Sequence, residues 1–562
     1  MRSFVTRGVT ATALIALTGC TRETPPRPDT PVHAGPASSA PTPRTTLLGD
    51  LGPYHREILT TSRDAQQFFD EGLTLLYGFN HEEAFKSFGQ AAVLDPKSPM
   101  PHWGMALALG TNINDPAPAD RLTKAYGHLA EAVKRAPNGS AVEQGLVAAL
   151  SKRYVAAPTG EQSAREQSYS DAMGSLAKQF PDDADVATLY AESMMNLHPW
   201  RLYHADGTPE AWTPAIVETL ERVLKTHERH PGANHYYVHA VEASRTPGRA
   251  TAAAGRLETL VPGAGHLVHM PAHIYIRTGQ FTEAARRNAV AAAVDEAYFK
   301  QAGPHAFYSM AYYGHNLQFE SAAAMYAGSR AEALLAAQRT VKEADPVADQ
   351  MAMLEAFASQ ELLVLARFGE WSAILASKPP VGTRTVQSGL YHWARGIALA
   401  HTGKAEDAEH ELDSLQRTIT RVPKDAFVGP VNWGGDVLAV AAADLRGHLR
   451  QARGDATGAI AAFRDAVAAE DRLGYNEPPD WLLPEREQLG VALLSIGNAS
   501  AAEAVFRADL VKNVGNPRSL HGLWRSLSAQ GKAPAASQAK RDFDAAWRGA
   551  DVVLGDDLYP KR

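Results

Sequence analysis

Residues 65–98 read AQQFFDEGLTLLYGFNHEEAFKSFGQAAVLDPKS. Two amphipathic runs with helical spacing of their apolar residues flank the break at Gly78-Phe79-Asn80. Numbered from Ala65, the residues Gly72, Ala84, Phe88, Ala91 and Pro96 stand at positions 8, 20, 24, 27 and 32. The same frame returns downstream in Gly396, Gly403, Ala408 and Leu412, in Gly447, Gly454, Ala459 and Phe463, and in Gly490, Gly497, Ala502 and Phe506. Gly279 with Ala284 and Gly328 with Ala333 mark further units. A fixed period of this kind identifies a repeat architecture, so length alone does not set the number of domains.

The period and the small residues at positions 8 and 20 resemble the tetratricopeptide repeat, whose unit is two antiparallel helices touching at those positions. The resemblance implies an all-α solenoid of stacked antiparallel helix pairs with loop insertions, running over residues 53–562 in about twelve pairs. Each pair buries its apolar face only against its neighbours, and the family's concave groove is its usual binding surface. Such a fold names no ligand by itself.

The N-terminus has a different composition. Residues 1–20 read MRSFVTRGVTATALIALTGC: two arginines, a short apolar run, then small residues before Cys20. This is the pattern of a secretory signal, and the ending Leu17-Thr18-Gly19-Cys20 resembles the bacterial lipoprotein box. The chain as a whole thus resembles a bacterial tetratricopeptide repeat lipoprotein. The resemblance implies a signal peptide over 1–19, lipidation of Cys20, and, with Thr21 rather than aspartate following, an outer-membrane anchor facing the periplasm. Residues 20–52 are rich in Pro, Ser, Thr and Ala and read as a tether. Cys20 is the only cysteine of 562 residues, which excludes a disulfide framework and any multi-thiolate zinc site. A net charge of −7 without a basic stripe argues against nucleic acid as a partner. No later apolar run is long enough to span a bilayer, so membrane attachment is expected through the lipid alone.

Histidine is unevenly spread: 11 of the 21 lie between His198 and His315, and the segment 198–316 forms a histidine-rich centre. In GANHYYVHAVEAS, His235, His239 and Glu242 follow at i, i+4 and i+7; in AGHLVHMPAHIYIRTG, His266, His269 and His273 follow at i, i+3 and i+7. Each trio falls on one helical face. With Ala250 at position 20, the first trio holds positions 5, 9 and 12; with Ala284 at position 20, the second holds 2, 5 and 9. His315 takes position 2 of a later unit, with Ala333 at 20. These positions line the groove in the resembled family. Imidazoles one helical turn apart match two ligands of one coordination sphere, so the pattern points to a transition metal. Copper or zinc suits imidazole best, and one carboxylate also admits iron. The equal positions of His239 and His273 lead us to expect that they share an ion, and more than four ligands leave room for two ions. Pro271 removes a helical hydrogen bond, which weakens the placement of His266 on the common face.

Residues outside the trios are lid or second-shell candidates: His198, His204 and Asp206 in the insertion NLHPWRLYHADGTPEAW, His305 in FKQAGPHAFYSMAYY, and Asn316 beside His315. There is no phosphate loop, His-Glu-x-x-His, nucleophile elbow or dinucleotide fingerprint, and no catalytic residue is identified. Three readings follow: a cell-envelope metal-binding repeat protein, a scaffold taking a peptide or protein partner in its groove without metal, and a metalloenzyme of unspecified reaction.

Overall fold

The computed structural model describes residues 45–158, 160–303 and 308–561; Cys20 and His305 lie outside them. Helices follow one another in antiparallel pairs, from Arg63–Tyr77 with His81–Leu94 to Pro517–Ala529 with Ala533–Ala546. Among the described residues the only β-pairing is in isolated bridges, and no helix is long and apolar enough to cross a membrane. The molecule is an all-α solenoid of stacked helix pairs with loop insertions, of tetratricopeptide type.

The repeat frame has a direct steric cause. A Cβ on Gly72 would lie 2.7 Å from the Phe88 ring, one on Gly447 2.4 Å from Phe463, and one on Gly490 2.4 Å from Phe506. In these three units position 24 thus drives its ring over the bare backbone at position 8. Phe88, Phe463 and Phe506 are fully buried, as are Ala84, Ala459 and Ala502 at position 20. Phe506 also covers Gly522 of the next unit at 2.2 Å, so the same ring joins pair to pair. The turn between the two helices needs a left-handed residue at position 15, and Gly454 (φ 74°) and Gly497 (φ 77°) supply it.

The histidine-bearing elements are the helix Pro231–Val241, the pair Gly265–His269 and Pro271–Arg277, and the helix Gly314–Ala327. Pro271 leaves Met270 helical at φ −50°, ψ −34°, so the chain keeps its direction through the break. A π-turn over Ser309–Tyr313 leads into Gly314–Ala327 and adds the local widening of the helix that recurs beside functional sites.

The superhelix closes on itself around these elements. Tyr77 of the first pair accepts a hydrogen bond from His235, 158 residues away. From the other end, Arg277 donates to the carbonyl of Lys512 at 3.2 Å. The expected open groove is therefore filled: His235, His239, Glu242, His266, His269 and His273 are each at most 5% exposed, and only His315 is half-buried. Sequence periodicity fixes the inward face of a helix, whereas the pitch of the solenoid decides what meets that face.

Candidate metal centre

Four imidazoles have one ring nitrogen committed to an oxygen acceptor. His235 Nδ1 donates to Tyr77 O at 2.6 Å, and His239 Nδ1 to Glu242 Oε1 at 2.9 Å. His273 Nδ1 donates to the other carboxylate oxygen, Glu242 Oε2. His269 Nδ1 donates to Asn288 Oδ1 at 2.6 Å, and Asn288 is itself fixed by its amide N–H on Ala284 O at 2.7 Å. A carbonyl or carboxylate only accepts, so the proton sits on Nδ1 in each ring and Nε2 keeps its lone pair. Such outer-sphere acceptors are how proteins set the tautomer and aim of metal-ligating histidines.

The free Nε2 atoms converge. His269 Nε2 and His273 Nε2 are 2.7 Å apart, and His235 Nε2 and His266 Nε2 are 3.1 Å apart. Two tetrahedral ligands with bonds of about 2.0–2.1 Å stand about 3.3 Å apart; the His235–His266 separation is close to this, and the His269–His273 separation is shorter. Three groups have ligand atoms within 4.8 Å of one another: His235, His239 and His266; His269, His273 and His315; and His239, Glu242 and His273. His239 Nε2 and His266 Nδ1 are buried without a hydrogen-bond partner. His239 and His273 meet in the third group through Glu242, which takes the Nδ1 of both, and each also belongs to a different histidine triad.

Burial also sets the charge. It holds His235, His266 and His269 well below the ordinary imidazole value, and neighbouring imidazoles add to the effect. His239 is lowered by burial against the pull of Glu242, and His315 is lowered to about 3 by burial and by His273. Burial pushes the Glu242 carboxyl up, but His273 and His239 outweigh it and hold it at about 2. Burial thus favours neutral imidazole at His235, His239, His266, His269 and His315, the protonation state that ligates metal.

Aromatic walls enclose it. Phe319 lies 5.1 Å from His269 and 5.2 Å from His273 between ring centroids, and Tyr312 lies 4.7 Å from His266. Phe79 packs on His235, His239 and His266 at 4.6, 6.1 and 5.6 Å. Phe79 occupies position 15 of its unit with φ 58°, where other units have glycine. Trp200, at φ 59°, sets its ring 5.6 Å from His239. Left-handed backbone at a bulky residue costs of order 1–3 kcal/mol and persists where the surroundings over-determine it. Both aromatic residues were missed in the sequence; a phenylalanine in a glycine position was the available signal for one of them.

The insertion 198–212 divides. His198 stacks on Trp212 at 3.7 Å, and with Trp200, Leu202, His239, Glu242 and Tyr475 it lines a cleft of about 400 Å³ that is partly open to solvent. His204 and Asp206, expected as lid residues, are exposed and turned away: His204 pairs with Glu210 at 3.2 Å, and Asp206 with Arg245. Gly207 (φ 76°) and the Asp206–Thr208 hydrogen bonds close a tight turn that points both outward. Asn316 sits behind the cluster, donating to Asp295 Oδ2 at 2.8 Å. Asp295 in turn accepts from Tyr308 at 3.0 Å, and Tyr308 OH accepts from the His266 backbone at 3.4 Å. Burial raises Asp295 to about 7 against the bonds from Tyr308 and Asn316. Across the cleft, Tyr475 donates to Glu477 at 2.9 Å. Burial lifts Glu477 to about 7, despite Arg277 and His273 nearby.

No family model and no curated protein sequence matches the chain. Solved structures that it is similar to are helical-repeat proteins. A human IFIT1 dimer with m7Gppp-AAAA is 12% identical over 88% of this chain and 91% of that one, at a TM-score of 0.29. Yeast Tom70 is 11% identical over 85% and 99%, at 0.30. The TPR domain of P58(IPK) is 12% identical over 84% and 99%, at 0.21. Likeness at this level assigns no ligand and no chemistry to the chain.

Proposed function

We propose that the chain is a repeat protein that binds a transition metal, copper or zinc before iron, through two three-histidine groups. His235, His239 and His266 form one; His269, His273 and His315 form the other; Glu242 ties them together by orienting His239 and His273. The observation that carries this is the 2.7 Å approach of His269 Nε2 to His273 Nε2, with both Nδ1 protons already committed. Two lone pairs at that distance repel unless a metal ion or a shared proton lies between them, and burial opposes charging His269. A scaffold without metal accounts for the approach only by a shared proton.

A second reading, that the centre is catalytic, is favoured by one feature. Each group offers three protein ligands, which leaves a fourth position, and the His239 side meets the cleft lined by Trp200 and Tyr475. In sequence the chain resembles a lipoprotein, and we propose anchoring through Cys20; Cys20→Ser should release it from membranes, and retention there refutes the anchor.

The test of the metal reading is elemental analysis of the chain purified from its own source, followed by titration of chelator-stripped protein with Cu²⁺, Zn²⁺ and Fe²⁺. We expect two ions per chain and a raised melting temperature. Protein with no retained metal and an unchanged melting temperature under excess of all three refutes it.

A further inference from the structure

A second cleft lies far from the histidines in sequence, among the C-terminal repeats. Arg367, Asp444, Glu485, Gln488, Arg518 and Tyr559 contribute to its walls. Arg367 and Arg518 are both buried, at 3% and 1% exposure, yet their partners differ. Glu487 takes both terminal nitrogens of Arg367, at 2.5 and 3.0 Å. Arg518 has no carboxylate within ion-pair distance among the described residues. Its Nη2 donates to the carbonyl of Arg367 at 2.7 Å, its Nε has no partner, and the ring of Phe368 lies 6.0 Å away. Burial and the like charge of Arg367 bring Arg518 down to about 9, still cationic at neutral pH. A buried cation without a counter-ion is costly, and evolution ordinarily supplies a paired carboxylate, as at Arg367.

The rest of the cleft supplies hydrogen bonds without a neutralising charge on Arg518. Glu485 Oε1 accepts from Trp481 at 2.7 Å, while its buried Oε2 has no partner. Burial and the neighbouring carboxylates Asp444 and Glu470 raise Glu485 well above the ordinary carboxyl value. Gln488 and Tyr559 stand on the same wall. The empty space is about 330 Å³ counting the mouth, with little of it deep, which limits an occupant to a few heavy atoms at the arginine.

We propose that this cleft is a binding site for a small carboxylate, held by the guanidinium of Arg518. A planar carboxylate matches the arginine fork in two parallel N–H···O bonds, which a spherical halide does not. The site is separate from the histidine cluster and does not depend on metal.

The test is isothermal titration of the full chain with acetate and propionate at constant ionic strength in chloride buffer. We expect saturable binding of one carboxylate per chain, unaffected by replacing chloride with another halide. Arg518→Met should stay folded, melt no lower than the unmodified chain in carboxylate-free buffer, and bind at least about tenfold more weakly. Should that variant not fold, Arg518→Lys keeps the charge without the fork and should show the same loss. Glu485→Gln should still bind. Absence of saturable carboxylate binding, binding by either Arg518 variant as tight as that of the unmodified chain, or tighter binding of sulfate or phosphate than of either carboxylate would overturn the proposal.

Discussion

The units spanning Gly434–Ala546 and those spanning Pro231–Ala327 are cut from one frame and use it for different ends. In the first region position 8 is bare backbone under a phenylalanine ring, as in Gly447 under Phe463 and Gly490 under Phe506. That interlock is apolar and local. In the second region positions 2, 5 and 9 carry imidazoles that face other imidazoles, a carboxylate and a first-pair carbonyl 158 residues away. The difference teaches that the frame fixes where helices touch and leaves the inward face free. That face can carry buried polar groups only where distant parts of the chain close over it and satisfy them.

The two regions should therefore fail separately. The largest effect is expected in the plain one. Phe506→Ala removes the ring that fills both Gly490 and Gly522 and should cost about 3–5 kcal/mol, read by urea denaturation of the C-terminal repeats. Its metal content should be unchanged. Loss of metal in this variant would break the separation.

In the histidine region, Glu242→Ala releases His239 and His273 together. Metal affinity should drop about 10–100-fold, measured by chelator competition, with the fold retained by circular dichroism. Because the two rings also belong to different histidine triads, His239→Ala and His273→Ala should each remove a different ion, and the double variant both. A double variant no worse than either single one would restore the simpler picture of one ion shared between them.

A third test uses pH. An imidazole at its ordinary value near 6.5 would lose affinity by about tenfold between pH 7 and 5.5 through proton competition. Burial holds His235, His239, His266 and His269 lower, so competition begins at lower pH. Affinity should stay nearly flat from pH 7 to about 6 and decline only below that range. In the metal-free chain the sign is set by the unfolded state, whose rings take protons from about pH 6.5 downward while the folded ones do not. Stability from these groups is whole above that value and is lost as pH falls. Comparing the melting curves of the unmodified chain and His266→Phe at pH 7.5 and 5.5 isolates the contribution.

Much of this was legible in the sequence. The glycine–phenylalanine interlock is a short-range steric fact, and a constant 16-residue separation from Gly72 to Phe88 and from Gly490 to Phe506 records it. The two histidine trios were visible because helical periodicity is local too. Closure of the solenoid was not visible. The contacts of Tyr77 with His235 and of Arg277 with Lys512 depend on small rotations summed over many units, and no single residue encodes them. His204 and Asp206 misled for a related reason. Ligand-type residues in an insertion say nothing of direction, and the turn at Gly207 sends both outward.

Phe79 holds a position of the repeat frame and packs on the histidines, and it yields the finest test. At an ordinary position glycine is worse than alanine by roughly 0.5–1 kcal/mol, because its unfolded chain has more freedom to lose. Position 15 inverts this, since φ 58° is strained for any side chain and free for glycine. Both Phe79→Ala and Phe79→Gly remove the ring that packs on His235, His239 and His266, so both should destabilise the metal-free chain and loosen the imidazoles. Only the glycine variant recovers the backbone strain. Phe79→Gly should therefore be more stable than Phe79→Ala by about 1 kcal/mol, while both exchange metal faster than the unmodified chain. If alanine proves the more stable of the two, the left-handed turn at Phe79 carries no strain, and the aromatic wall needs another explanation than function held against local preference.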